Sequence, residues 1–361
     1  MAKALSRNTS LKYLNFGRTG VDNEEAIEYC NALVKNNTIK FLNLSTTPMG
    51  RAGLRSLSNR FQYLISSLTF LDLSYCGIDD QGVSILGGAI TVNTTLKGLI
   101  LNNTGDFITS VGWRAFSVCL QCPNSTLTRL SINECNLDDE KMTVIANALV
   151  DNSMITDLDL NKNRAIGVRG WQSLSACLRS PVSALKHLGM YGCILIDEIV
   201  IDFAEALSHN SVLCALIMWD NTAITNRSWD ALHRTVCNTS SIEATLESNH
   251  VLHYVSGRSI GDHDIISSLR LNENQDKKQV ARLKIIRNHF LKNDAVDVTE
   301  FVDMDVNVLP QAISWIGRED DDDGHCLMFA MLQSVPCLFD TESMKNSCKA
   351  SPLHVKKRRV L

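Results

Sequence analysis

From residue 11 to about residue 252 the apolar positions recur in a fixed order. Residues 127–152, LTRLSINECNLDDEKMTVIANALVDN, set out the unit. In it Leu127, Leu130, Ile132, Cys135 and Leu137 follow the spacing L-x-x-L-x-L-x-x-C-x-L. The alternation around Leu130 and Ile132 predicts a short strand with one apolar face, because successive strand residues point to opposite sides. A turn follows, then Met142, Ile145, Ala148 and Leu149 at the spacing of one helical face. Copies start at Leu11, Ile39, Leu68, Leu96, Leu127, Ile155, Leu185 and Leu213, with a degraded ninth at Ile242. The steps are therefore 28, 29, 28, 31, 28, 30, 28 and 29 residues.

One such unit cannot bury its apolar strand face alone, so neighbours must stack and share a core. Pairs such as Leu71 with Leu73, and Leu158 with Leu160, are expected to face that core. Helices are wider than strands, so the stack is expected to curve with a parallel sheet inside and helices outside. Two kinds of unit alternate. Those starting at 68, 127 and 185 place Cys76, Cys135 and Cys193 at the turn. Those starting at 39, 96, 155 and 213 place Thr47, Thr104, Asn163 and Asn221 there. These polar and thiol groups are expected to bond loop backbone that would otherwise be buried unpaired. Trp113, Trp171 and Trp229 recur 58 residues apart on the helices and read as core.

This spacing at a period near 28 residues is that of a leucine-rich repeat. The alternation of cysteine-type and asparagine-type units resembles the ribonuclease-inhibitor-like subclass, which ribonuclease inhibitor, NOD-like receptors and the Ran GTPase-activating protein share. The predicted fold class is α/β: a curved leucine-rich repeat solenoid with a parallel inner sheet and outer helices, and a small α-helical C-terminal region. The predicted division is 1–252 solenoid, 253–340 helical cap and 341–361 flexible basic tail. Ala4 and Leu5 match the Ala-Leu pair that ends six residues before other strands, so upstream sequence is expected to be missing; the alternative is that residues 1–10 form a minimal cap.

Past the repeats, Val280, Leu283, Ile286 and Phe290 predict an amphipathic helix over 277–290, with Lys277, Lys278 and Lys284 on its other side. Further helices are expected near Pro310 and over 326–333. The segments LRLNENQDKKQVARLKIIRNHF, VLPQAISWIGR and SVPCLFD resemble the tail of uncharacterised leucine-rich repeat proteins of diatoms and related algae, a resemblance that implies no activity.

Composition narrows the chemistry. A net charge of −4 gives no broad basic face, which disfavours duplex nucleic acid as a partner. No apolar run reaches the length of a membrane span, so no membrane partner is expected, and the start lacks a secretory core. A cytoplasmic location with reduced thiols is the expectation; Lys356, Lys357, Arg358 and Arg359 leave nuclear import open. Asn-x-Ser/Thr triplets such as 93–95 read as turns between helix and strand.

No phosphate-binding loop ending in Gly-Lys-Ser/Thr is present. Cys119 and Cys122 form a lone CxxC, and Cys119 repeats at Cys177 as a helix-packing position. His250, His253 and His263 with Cys237 lack ligand spacing, and the acidic run 319–323 puts Ala330 where a calcium loop needs Glu. No catalytic residue, metal or cofactor is expected. Arg18, Arg51 and Arg164, read as turn residues, are the loop arginines available to a GTPase-activating alternative.

What remains is the open side of the sheet, formed by the third, fifth and seventh residues of each unit. Tyr13, Phe41 and Phe70 make one aromatic group there, and Tyr191 and Trp219 a second. Asp72, Arg129, Asp157 and Asp159 lie between, with Glu134 just past a strand end. Aromatic anchors flanking charges suit a protein partner; the alternative is cross-strand packing that stabilises the sheet alone. The expected function is a non-enzymatic protein-binding scaffold. Regulation of a small GTPase, or service as the repeat portion of a larger NOD-like receptor-type sensor, are the alternatives.

Overall fold

The computed structural model describes residues 1–34, 36–61, 67–105, 107–257, 265–274, 276–292 and 295–296. The chain divides into two compact units, Met1–Asn238 with Ser248–Val280, and Thr239–Glu247 with Ala281–Leu361. In the first, nine three-residue strands lie parallel in chain order. They are β1 (Tyr13–Asn15), β2 (Phe41–Asn43), β3 (Phe70–Asp72), β4 (Gly98–Ile100), β5 (Arg129–Ser131), β6 (Asp157–Asp159), β7 (His187–Gly189), β8 (Ala215–Ile217) and β9 (Tyr254–Ser256). Helices cross between them: α1 (Ala2–Leu5) before the sheet, then α2 (Asn23–Val34), α3 (Gly50–Phe61), α4 (Asp80–Val92) and α5 (Ser110–Leu120). The series continues with α6 (Asp139–Leu149), α7 (Val168–Arg179), α8 (Asp197–Ser208) and α9 (Asn226–Val236).

The register never slips. Leu14, Leu42, Leu71, Leu99, Leu130, Leu158, Leu188, Leu216 and Val255 pair strand to strand and all are buried. One continuous apolar cluster joins them to the helices. Trp113, Trp171 and Trp229 are buried in α5, α7 and α9, as their period required. The first two meet Phe116 and Phe203 edge-on, with ring centroids 5.8 and 6.1 Å apart.

The turns are closed by side chains. Asn163 is fully buried; its Nδ2 donates to the carbonyls of Ile132 and Leu160, and its Oδ1 accepts from the amides of Cys135 and Leu137. Asn221 repeats this with Met190, Met218, Cys193 and Leu195. The thiols of Cys76, Cys135 and Cys193 donate to the carbonyls of Leu44, Leu101 and Leu160. Burial pushes Cys76 up to about 12 and Cys193 to about 11, so both remain thiols. No disulfide joins any two of the nine described cysteines.

Two expectations are corrected. The ninth strand starts its unit at Leu252, not Ile242, and the sheet therefore continues past 252. Ile242 instead opens a short helix, α10 (Ile242–Leu246). The reason lies in Asn249, which does what Asn36, Asn93, Asn152 and Asn210 do three residues before the first residue of their units. Its Oδ1 accepts from the amides of Val251 and Leu252, and its Nδ2 donates to Leu207 and Asn210. The helix α11 (Ile265–Asn272) then supplies the ninth unit's outer layer, and Asn272 donates to the carbonyls of Asn249 and Leu252.

The helix expected over 277–290 is α-helical only as α12 (Lys277–Ile285); Ile286–Phe290 form a π-turn. Its buried positions are Val280, Ala281, Lys284 and Ile285, so Lys284 lies inside, not on the wet side. A short antiparallel pair follows, β10 (Leu291–Lys292) with β11 (Ala295–Val296). In the second unit the Thr245 hydroxyl lies 2.7 Å from His289 Nε2. The helices expected near Pro310 and over 326–333, the acidic run 319–323 and the basic cluster 356–359 lie outside the described residues.

Candidate binding face

The third residue of each unit starts its strand and lies on the side of the sheet away from the helices. At the first three strands these residues form a ladder. Tyr13 and Phe41 have ring centroids 6.0 Å apart, and Phe41 and Phe70 stack at 5.2 Å with 11° between planes. Tyr13 keeps 75% of its surface exposed, while both phenylalanines are half-buried. The Phe70 ring leans over the next strand, where Gly98 makes room for it: a Cβ there would sit 2.3 Å from the ring.

The centre of the face is charged. Arg129, Asp157 and His187 are register neighbours on β5, β6 and β7. Arg129 reaches Asp157 Oδ1 at 3.3 Å, and His187 Nδ1 lies 3.1 Å from the same oxygen. The Thr156 hydroxyl donates to the other carboxylate oxygen at 2.6 Å. Burial works against the Asp157 charge, but Thr156, Arg129 and His187 together outweigh it and hold the carboxyl below its ordinary value. Asp159 is in the reverse condition: burial first, then the charge of Asp157, hold its carboxyl above the ordinary value. It too leans over a glycine, since a Cβ on Gly189 would lie 2.6 Å from Asp159 Oδ1. Asp72 spends one oxygen on the amide and hydroxyl of Ser74.

Past the strands, the eighth residue of every unit from Arg18 to Asp220 has a positive φ, through Thr46, Tyr75, Asn103, Glu134, Lys162 and Gly192. Most of these amides donate to the seventh-residue carbonyl of the next unit, as Glu134 does to Asn161 and Lys162 to Tyr191. The left-handed turn so formed lines their side chains up along one edge of the sheet. Lys162 and Glu134 pair there at 2.9 Å, beside an open hollow of about 620 Å³ that also takes in Asn103, Asn136 and Arg164. Tyr191 and Trp219 are exposed at the same edge, 38% and 48%, and the Gly192 amide donates to the Trp219 carbonyl.

The residues proposed from the sequence for the binding face thus lie on the open side or its rim, in three groups, the ring ladder, the Asp157 cluster and the loop edge, with Asp72 apart from all three on β3. Four contributors were not singled out. His187 completes the charged cluster. Tyr254, 50% exposed, was hidden by the misplaced ninth unit; Asn249 was the signal that could have placed it. Tyr75, also 50% exposed, and Asp220 belong to the eighth position, which strand alternation does not reach. Of the loop arginines, Arg51 lies in α3 rather than a turn and is tied to Asp79 at 2.8 Å. That hydrogen bond is the main cause of the lowered Asp79 carboxyl.

Comparison with known proteins bears on the repeats. A family model described as "Leucine Rich repeat" matches residues 65–87 and 124–146. The chain is 30% identical over 211 residues to NACHT, LRR and PYD domains-containing protein 14 of Mus musculus, covering 58% of this chain and 21% of that one. It is 25% identical over 248 residues to NACHT, LRR and PYD domains-containing protein 5 of Mus musculus, covering 61% and 21%. The chain thus spans about a fifth of the length of these relatives. Among solved structures, the leucine-rich repeat-containing protein LegL7 from Legionella pneumophila aligns with TM-score 0.47 at 13% identity, over 75% of this chain and 93% of that one.

Proposed function

We propose that this leucine-rich repeat protein is a non-enzymatic scaffold that binds a protein partner on the open face of its sheet. The observation that supports this reading is the ring ladder of Tyr13, Phe41 and Phe70. Three aromatic side chains on adjacent strands remain partly exposed where the fold offers them no cover. Exposed apolar groups of this kind, rimmed by charge, mark contact surfaces. Cross-strand stacking accounts for the contact between Phe41 and Phe70 but not for the ring surface that stays open to solvent. Tyr191, Trp219 and the Asp157 cluster extend the surface to the other strands.

Photo-crosslinking in cells tests it. A crosslinking phenylalanine analogue at position 41 or at 219 should capture a protein partner, and the same analogue at the exposed helix residue Val118 should not. Capture from 118 alone, or loss of no partner on Phe41→Ala with Phe70→Ala in a folded protein, would assign binding elsewhere.

A second reading has its own support in the similarity to NACHT, LRR and PYD domains-containing proteins over more than half of this chain. In it the repeats are the sensing portion of a larger NOD-like receptor. Sequencing the transcript upstream of Met1 tests this: a continuous reading frame encoding a nucleotide-binding loop supports it, and an in-frame stop removes it.

A further inference from the structure

The row just before the ring ladder carries free charge. The second residue of each unit reads Lys12, Lys40, Thr69, Lys97, Thr128, Thr156, Lys186, Cys214 and His253 from β1 to β9. Two of the threonines hold the sheet together, since Thr69 and Thr128 donate their hydroxyls to the carbonyls of Lys40 and Lys97 in the preceding units. The lysine side chains make no such bond. All four are exposed, and among the described residues their ammonium groups enter no hydrogen bond or ion pair. By contrast, Arg129 is matched by Asp157 and Lys162 by Glu134.

The unmatched charge is concentrated where the rings are. Lys12, Lys40 and Lys97 immediately precede Tyr13, Phe41 and Gly98, and the Phe70 ring lies against Gly98. Neighbouring strands are about 4.8 Å apart, so Lys12 and Lys40 stand side by side as like charges. Asp72, the one acid among the strand residues of β1 to β4, already accepts from Ser74. A charged row one residue from an apolar ladder is complementary to a segment with the same two features in opposite sign.

We infer that β1 to β4 take an acidic segment of a partner protein, its carboxylates along Lys12, Lys40 and Lys97 and its leucine or aromatic side chains on the Phe41–Phe70 stack. This rests on reading the open face as the binding surface. Duplex nucleic acid would use the lysines and leave the rings idle, whereas a single strand would stack its bases on the rings and is therefore made an outcome of the test.

The test uses the full chain and a short fluorescein-labelled peptide of repeating Glu-Glu-Leu, followed by anisotropy at low salt. Binding is expected, weakening as salt rises. Lys12→Glu, Lys40→Glu and Lys97→Glu together should weaken it about tenfold or more, at the few tenths to one kcal/mol typical of each exposed pair. The triple glutamine variant should weaken it by less, and supplies the answer if the glutamate variant does not fold. Phe41→Ala should also weaken it, and a Glu-Glu-Ser peptide should bind less well than Glu-Glu-Leu. The inference is overturned if the Glu-Glu-Leu peptide does not bind, if charge reversal changes nothing, or if oligothymidylate binds as well. Should those results accompany crosslinking from position 41, the acidic partner is wrong and the binding face stands.

Discussion

Asn163→Ala removes four hydrogen bonds from a site with no exposed surface. The Ile132 carbonyl loses its donor and two amides, Cys135 and Leu137, lose their acceptor, while the Leu160 carbonyl keeps the Cys193 thiol. A buried polar group left unpaired costs about 1–3 kcal/mol. Taking the low end for each of the three groups left unpaired gives about 3 kcal/mol, against a total of about 5–15 kcal/mol for an ordinary domain. Urea unfolding followed by far-ultraviolet circular dichroism measures the loss. Because each unit contacts only its neighbours, hydrogen exchange should show protection lost first in the units that start at Leu127 and Ile155. Asn163→Asp keeps the acceptor but points a carboxylate at two carbonyls, and should cost as much or more. Asn147→Ala, on the exposed side of α6, should stay within about 0.5 kcal/mol. A loss below about 1 kcal/mol for Asn163→Ala would refute the view that this one side chain closes the turn.

Further tests follow from individual environments. The Asp159 carboxyl is held above its unfolded value, so its ionisation opposes folding at neutral pH and the penalty vanishes as pH falls below the unfolded value near 4. Asp159→Asn should therefore raise the urea midpoint at about pH 7 and not at about pH 3. Asp157 has the opposite sign: its lowered carboxyl stabilises above the unfolded value and loses that effect as pH falls through the folded one, so Asp157→Asn should lower the neutral midpoint. Iodoacetamide at about pH 8 should alkylate Cys193 slowly in the native protein and fast in urea, because its thiol titrates at about 11; native reactivity equal to that of half-buried Cys214 would contradict its burial. Gly98→Ala must push the Phe70 ring off its place, changing the near-ultraviolet dichroism and any binding that depends on the ladder; an unchanged spectrum would deny the close approach.

The strand and helix of each unit were legible because burial has a different period in each: Leu71 and Leu73 alternate, while Met142, Ile145 and Leu149 recur at helical spacing. The Asn and Cys turns were legible because a buried polar residue in an apolar pattern needs a partner. The ninth unit was not, since the inserted residues 239–247 broke the step count that had located the others. Its marker was a hydrogen-bonding residue, Asn249, not an apolar one. On the open face, alternation supplied the row but not the company each residue keeps. That Phe70 and Asp159 lean over Gly98 and Gly189, or that His187 joins Arg129 on one carboxylate, depends on side-chain directions that alternation leaves undetermined.

The alternation of unit types has a physical consequence of its own. Asp80, Asp139 and Asp197 open helices of cysteine-type units, and each reaches forward to the start of the next unit's helix. Asp139 accepts from the amides of Gly167 and Gly170, and Asp80 and Asp197 from those of Thr109 and Thr225. Asn163 and Asn221 reach back into the preceding cysteine-type turn. A cysteine-type unit and its successor are therefore bonded in both directions. Across the following boundary, the turn contributes the thiol bonds of Cys135 to Leu101 and Cys193 to Leu160. Helix packing agrees: α4 with α5, α6 with α7 and α8 with α9 pack more extensively than α5 with α6 or α7 with α8. The building block is thus the pair, and the solenoid should open between pairs. Native-state hydrogen exchange is expected to group α6 with α7 and α8 with α9 in opening free energy, with the step falling between α7 and α8. Asp139→Ala, which removes the cap shared within one pair at a cost of about 1–2 kcal/mol, should erase the grouping of α6 with α7 and leave that of α8 with α9. A step within the α8–α9 pair would mean that the two unit types differ in sequence only, not in how the chain is held together.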